Sequence, residues 1–296
     1  REVVGARNLE VRILPDDVTR MNALRTNEVD MALLAPRQAA EAEGLPGMIV
    51  HREATLTYLV LYLNRARSAF GDTRVRQALN YAINRQAITD GIYFGNAIPT
   101  VQQFPEGYYA YNADYPGDHY AYDPQRARDL LAEAGLAGGF EFEMLVPSLS
   151  TFVQAGEAVQ QMLAEVGITA HIRSVEAAQT ADIYYAQQQG DGLVAQWGGR
   201  PDPSMTIGLQ FTGNGFSNPG RHTTPRLEEL HRAALDSLDP EVRAERIHEA
   251  VGELVDQAFQ VPIVNDLAVF ATSDRIVGFE LLVTGQINYG TLGMRR

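Results

Sequence analysis

The sequence predicts an α/β protein, and two observations carry that prediction. Apolar runs with strand-like periodicity alternate with amphipathic stretches that begin at well-marked caps. Two of the resulting units read strand–helix–strand, the arrangement that builds parallel sheet with right-handed crossovers.

In order along the chain, Leu9, Val11 and Ile13 alternate as a half-buried strand over residues 9–14. Asp16 or Asp17 caps a short helix through about Arg25, and residues 29–35 (VDMALLA) read as a more buried strand. A third apolar run covers residues 58–64. After Asp72, Val75, Ala78, Leu79, Ala82 and Ile83 recur at helical spacing, which predicts one helix over 74–89. Residues 95–121, rich in Gly, Pro and Tyr, lack a period and read as a long ordered loop. Asp123-Pro124 starts a helix over 124–134 that Gly135 ends in the left-handed region.

A second unit follows. Residues 140–146 alternate at period two, residues 152–166 are helical, and Ile168, Ala170 and Ile172 mark the next strand. Residues 176–189 read as a polar, Ala-containing helix and residues 192–197 as a buried strand. That strand runs into WGGRPDP, a turn that cannot continue it. Thr224-Pro225 and Asp239-Pro240 start helices over 225–238 and 240–258. The tail reads as short strands and loops.

The chain of 296 residues is long enough for two lobes, and 45% hydrophobic residues supply a sizeable core. A formal net charge of −13 excludes a basic surface for nucleic acid or anionic membrane. All 24 basic residues are Arg, which reads as a composition bias. Without Cys, disulfide, zinc-thiolate and Cys-nucleophile chemistries are closed. No apolar run approaches the roughly 20 residues of a membrane span. The chain opens at Arg1 without Met or a charged-then-apolar leader, as a processed or truncated chain would.

Chemical motifs are sparse. There is no GxSxG elbow, HExxH pair, phosphate-binding loop or dinucleotide fingerprint. The six His (51, 119, 171, 222, 231 and 248) show no ligand spacing, so neither metal nor cofactor is expected. Tyr108, Tyr109, Tyr111, Tyr115, Tyr120 and Tyr122 crowd the long loop, where they either line a binding surface or seal the loop onto the core. The segment Trp197-Gly198-Gly199-Arg200-Pro201-Asp202-Pro203 lies at the carboxyl end of a strand, where α/β folds bind ligands. Trp197 offers a stacking face, Gly198 and Gly199 admit a ligand to the backbone, and Arg200 offers a fork for a carboxylate. The alternative is a tight turn in which Trp197 fills the core.

The order of these segments resembles the family 5 extracellular solute-binding proteins. FGDTRVRQALNYAINRQAI (70–88) following the strand that ends at Asn64 resembles the family's signature helix. Its Tyr-Asp-Pro helix is matched at Tyr122, Asp123, Pro124, Ala127, Leu130, Leu131, Ala134 and Gly135. Trp197 with Asp202-Pro203, Arg243 and Arg246 with Val261-Pro262-Ile263, and Asn27-Glu28-Val29-Asp30 complete the resemblance. Two departures stand out. Members are roughly twice as long, with more of the first lobe and a small extra domain upstream. Peptide-binding members carry an Asp shortly after the Trp, where this chain has Arg200 in a shorter turn.

The resemblance implies a two-lobed, periplasmic-binding-protein-like fold of class II that closes like a hinge. Residues 1–64 would be a partial first lobe, 65–262 a complete second lobe, and 263–296 a return to the first. It further implies binding without catalysis: a periplasmic or cell-surface receptor, secreted or lipid-anchored, acting as a monomer. The receptor would take a peptide-like or small anionic solute and hand it to an ABC permease driven by a separate ATPase. Trp197, Gly198, Gly199, Arg200 and Asp202 are the expected ligand-binding residues. Arg200 is expected either to hold an anionic group of the solute or to pair with Asp202 and fix the turn. An enzyme using the 200–222 loop, and a regulatory or scaffold module on the same fold, remain as alternatives.

Overall fold

The computed structural model describes residues 3–5 and 8–295. Ten strands are β1 (Val3–Gly5), β2 (Met31–Leu33), β3 (Met48–Leu63), β4 (Ala97–Pro99), β5 (Phe140–Pro147), β6 (Ile168–Val175), β7 (Gly192–Gly198), β8 (Val261–Ser273), β9 (Ile276–Val277) and β10 (Gly293–Arg295). The α-helices are α1 (Asp17–Arg25), α2 (Ala39–Glu43), α3 (Thr73–Ala82), α4 (Arg85–Gly91), α5 (Pro124–Glu133), α6 (Ser150–Ala164), α7 (Pro203–Phe211), α8 (Pro225–Asp236) and α9 (Pro240–Asp256).

The main sheet has the order β2-β8-β3-β7-β5-β6, with β4 also on β8, and β1-β10-β9 form a small second sheet. The β5-α6-β6 unit is parallel over its whole length, as its alternation predicts. Helix starts follow the sequence closely. Asp16, Asp72, Asp123, Thr224 and Asp239 each accept a backbone N–H in the first turn of the helix they precede.

Several expectations are overturned. Residues 9–14 form no strand, and Leu9, Val11 and Ile13 are 48%, 70% and 89% exposed. Alternation makes a strand only beside another edge, and β2 pairs antiparallel with β8 instead. The first predicted parallel unit is therefore absent. The helix over 74–89 is two helices, because Ile83 turns extended (φ −95°, ψ 115°) and Asn84 caps a restart by accepting from Ala87 N. Residues 176–189 contain only a 3-10 turn and a five-residue π-turn over Asp182–Ala186. That wide turn brings the Tyr184 and Tyr185 rings to 6.3 and 6.0 Å from Tyr62 under the sheet. The tail is dominated by β8, a strand of 13 residues rather than a series of short ones. Helix α7, directly after the WGGRPDP turn, has no counterpart in the sequence reading.

Strands β3 and β8 run side by side through the molecule. The main break in their ladder comes where Ala54 faces Leu267 and Tyr58 faces Asn265, so residues 55–57 bulge opposite Asp266, and a one-residue slip follows, with Leu59 facing Val264 and Val60 facing Pro262. On one side of the break, Val269 and Ala271 pack with Met21, Leu24, Leu34, Ala39 and Ala42 in a small cluster. On the other, Leu59, Leu61 and Leu63 join the main core with α3, α5 and α6.

Three buried arginines tie this core together. Arg65, Arg76 and Arg85 are 5%, 1% and 5% exposed, and their donors go to main-chain carbonyls, amide side chains and the Thr73 hydroxyl, not carboxylates. Arg65 reaches Phe259 O, His222 O and Asn218 Oδ1. Arg76 caps the end of α9 at Gln257 O and Ala258 O, and Arg85 reaches Asn80 O, Thr100 O and Pro262 O. Burial lowers Arg65 to about 9 and the other two to about 10, so all three stay charged at neutral pH.

Candidate functional site

The predicted site residues come together at the carboxyl end of β7. Trp197 is 8% exposed and lies against the sheet with Tyr58, Tyr62 and Tyr184. Its Nε1 donates to Thr206 Oγ1 of α7 at 3.3 Å. The indole is thus core on one side, as the alternative reading expected. Arg200 packs over it, with Cζ 5.2 Å from the ring centroid, within cation–π range.

The two glycines differ. A Cβ on Gly198 would meet nothing within 4 Å, so this position is open to a ligand. A Cβ on Gly199 would stand 2.4 Å from Leu56 Cβ and 2.6 Å from Leu56 O. Gly199 is therefore needed for a close approach of chain to chain, and its N–H donates to Leu56 O at 3.0 Å.

Arg200 does not pair with Asp202. Its Nη1 donates to Gly198 O at 2.6 Å, and the side chain is exposed. Asp202 has another task. It caps α7 by accepting from Ser204 N, and both its oxygens take Arg243 Nη2, at 2.6 and 2.8 Å. Among the described residues no carboxylate comes within ion-pair distance of Arg200. The turn is also clamped from the long loop, where Tyr108 donates its hydroxyl to Pro201 O at 2.5 Å. The tyrosines divide accordingly: Tyr115 and Tyr120 seal the loop onto α9 through Asp256 Oδ2 and Val255 O, while Tyr108 reaches the site. Arg243 and Thr206 are contacts that reading the sequence did not place at the site, while Tyr108 stood only among the loop tyrosines. Arg243 had been noted only as part of a family segment.

The backbone of β7 gives the site its most specific feature. β7 pairs with β3 along all of Gly192–Gly198, but with β5 only at Gly192 and Leu193. The bonds Asn64 N to Asp191 O and Gly199 N to Leu56 O set the phase of the antiparallel ladder. Odd-numbered residues of β7 therefore bond β3, and even-numbered ones face the other edge. Beyond Leu193 that edge has no strand beside it among the described residues. Gln196 N–H and C=O and Gly198 N–H are thus available to a ligand, next to Trp197 and Arg200.

A crevice of about 590 Å³ opens elsewhere, between the turn after β2 (Pro36, Arg37) and helices α4 and α6. Ile88, Phe94, Gln154 and Met162 line it, and none of residues 197–202 does. Among the described residues no group of three or more His, Cys, Asp or Glu could hold a metal ion, and no helix is long and apolar enough to cross a membrane.

The pattern of the family described as "Bacterial extracellular solute-binding proteins, family 5 Middle" matches residues 4–218. The chain belongs to this family. As a family 5 chain it is 26% identical over 283 residues to heme-binding protein A of Haemophilus influenzae, covering 92% of this chain and 51% of that protein. It is 27% identical over 282 residues to the glutathione-binding protein GsiB of Salmonella paratyphi A, covering 92% and 54%. The chain thus spans about half the length of the curated relatives it matches. The periplasmic binding protein DppA of Helicobacter pylori, solved with the peptide STSA, superposes with a TM-score of 0.82 at 24% identity. That match covers 96% of this chain and 56% of DppA. It shows the two-lobed periplasmic-binding-protein fold, of which this chain holds only part.

Proposed function

We propose that this chain is the solute-binding part of an extracytoplasmic receptor for an ABC importer, and that it takes a peptide-like or small anionic solute. The observation that carries this reading is the unpaired edge of β7 between Trp197 and Arg200. An extended ligand can add to a free strand edge through main-chain hydrogen bonds while neighbouring side chains read its substituents. The exposed Arg200 guanidinium, stacked but without a carboxylate, suits an anionic group that it can bind in a bidentate manner. Where peptide-binding relatives are expected to carry an Asp for the ligand's ammonium, Arg200 would repel one.

The lobe division is part of the same proposal: 1–64 and 263–296 in one lobe, 65–262 in the other, with β3 and β8 crossing between them at the bulge. The permease, the separate ATPase and a secreted or lipid-anchored location follow from the importer reading. Among the described residues no constellation of nucleophile and base supports the enzyme alternative.

Calorimetry with glutathione and with the peptide Ser-Thr-Ser-Ala, alongside native mass spectrometry of the purified protein, tests the reading. Saturable binding of either probe, or a carried solute, that is weakened in Arg200→Ala supports it. A protein that carries nothing and binds neither probe, or whose binding ignores Arg200, defeats it.

A further inference from the structure

Asp266 stands where β3 and β8 part, opposite the bulge at residues 55–57 and beside Ala97 of β4. Its Oδ2 accepts from Gln196 Nε2 of β7. Its Oδ1 is buried without a hydrogen-bond partner, and so is the hydroxyl of Tyr93, which faces the same carboxylate. A buried acceptor of this kind is costly and calls for a reason. Gln196 supplies one. Its side chain reaches over β3 to Asp266, on the face of the sheet opposite Trp197, and its Oε1 accepts from no described residue and is not fully buried.

The chemistry of the pair is directional. An ionised carboxylate only accepts, so it must face Nε2, and Oε1 is then turned outward. A protonated carboxyl can donate to Oε1, which turns Nε2 outward instead. We propose that Asp266 is a positioning residue whose proton state sets the direction of the Gln196 amide on this face of the sheet. The amide then offers an acceptor when Asp266 is ionised and a donor when it is protonated. This deepens the solute-binding reading and rests on it only for what the amide would recognise.

Burial raises the Asp266 carboxyl to about 7, opposed by the Tyr93 hydroxyl, so both forms are populated near neutrality. The groups around it are few. Ala97 comes from β4, Gln196 from β7, Thr55, Leu56 and Thr57 from the bulge, and Tyr93 and Asn96 from the segment before β4. The nearby Arg52 is engaged by Asn96 Oδ1 and Glu43. No guanidinium or second carboxylate acts on Asp266 among the described residues.

Carbon-detected NMR of the Asp266 carboxyl and nitrogen-resolved NMR of the Gln196 side-chain amide, from about pH 5 to about pH 9, test the proposal. The two signals should move with a common midpoint near neutrality, and the Gln196 signal should be flat in Asp266→Asn. Gln196→Ala should raise the Asp266 midpoint, because the ionised form loses its donor. If Asp266→Asn does not fold, the wild-type titrations and Gln196→Ala decide alone. A Gln196 signal that ignores Asp266, a carboxyl titrating at an ordinary value near about 4, or a midpoint unmoved in Gln196→Ala overturns the proposal. The solute reading fails separately, in the binding experiment, and its failure would leave this titration in place.

Discussion

Replacing Asp266 by Asn should stabilise the protein more as the pH rises. The sign follows from burial. The buried carboxyl holds its proton up to about 7, whereas in the unfolded chain an Asp gives it up near about 3.9. The folded state therefore binds more protons across that window, and wild-type stability falls as pH rises from about 4 to about 7, then levels off. The free energy lost is on the order of 1–2 kcal/mol by pH 5 and about 4 kcal/mol by pH 8, from the constant of about 1.4 kcal/mol per unit of pKa difference. Asn does not titrate. The stability difference between Asp266→Asn and wild type should thus grow by about 2–3 kcal/mol between those two pH values, and by about half of that if the folded pKa is nearer 6. Comparing this difference at two pH values cancels the fixed cost of placing an amide there. Urea unfolding at both pH values measures it, with the slope checked for constancy. A difference that is flat, or that shrinks as pH rises, would show that the carboxyl is ionised in the fold and would refute the reasoning.

Three further outcomes are expected. Gly199→Ala should cost about 2–4 kcal/mol, the sum of overpacking against Leu56 and a weakened ladder bond, seen as a lowered urea midpoint. An unchanged midpoint would mean that the turn yields freely. Arg200→Ala should weaken solute binding by about 1.5–3 kcal/mol in calorimetry and leave the melting temperature of the unliganded protein nearly unchanged, because this guanidinium supports only its own turn. Arg243→Met removes the partner of Asp202 at the start of α7. It should loosen residues 198–206, read as faster amide exchange confined to that stretch, with slow exchange kept in β5 and β6.

Helix starts were the most legible part of this sequence. An Asp or Thr before Pro or a polar turn is a local chemical event, and Asp123, Thr224 and Asp239 act as the sequence says. Strands were legible where a neighbour lay close in sequence, as in β5-α6-β6. They were misread where pairing is long-range. Residues 9–14 alternate well but have no partner, and β8 gains its length from β3, more than 200 residues away in the chain at the far end of the ladder. At the turn after β7, the strand end at Trp197 was legible as a local signal, whereas Asp202 was singled out without the helix α7 that it caps. Gly199 was found for the wrong reason, since its crowding depends on Leu56. Asp266 went unread because its setting is a bulge between distant strands, and Tyr108 stood only among the loop tyrosines because its contact comes from a loop folding back 93 positions.

The carbonyl-solvated arginines carry a consequence for the sequence's tolerance to change. Arg65 and Arg85 each satisfy at least three acceptors from a planar group that burial fails to neutralise. An ammonium starts about two units lower, so the same desolvation would bring its titration down toward neutral pH, and it has fewer donors for the same oxygens. At these positions an Arg-to-Lys exchange is thus a weakening of charge and a loss of hydrogen bonds, not a conservative step. In a chain whose basic side chains other than His are all Arg, drift toward lysine would be tolerated at solvated positions outside the site and resisted at the three points where the interior is held by its own peptide groups.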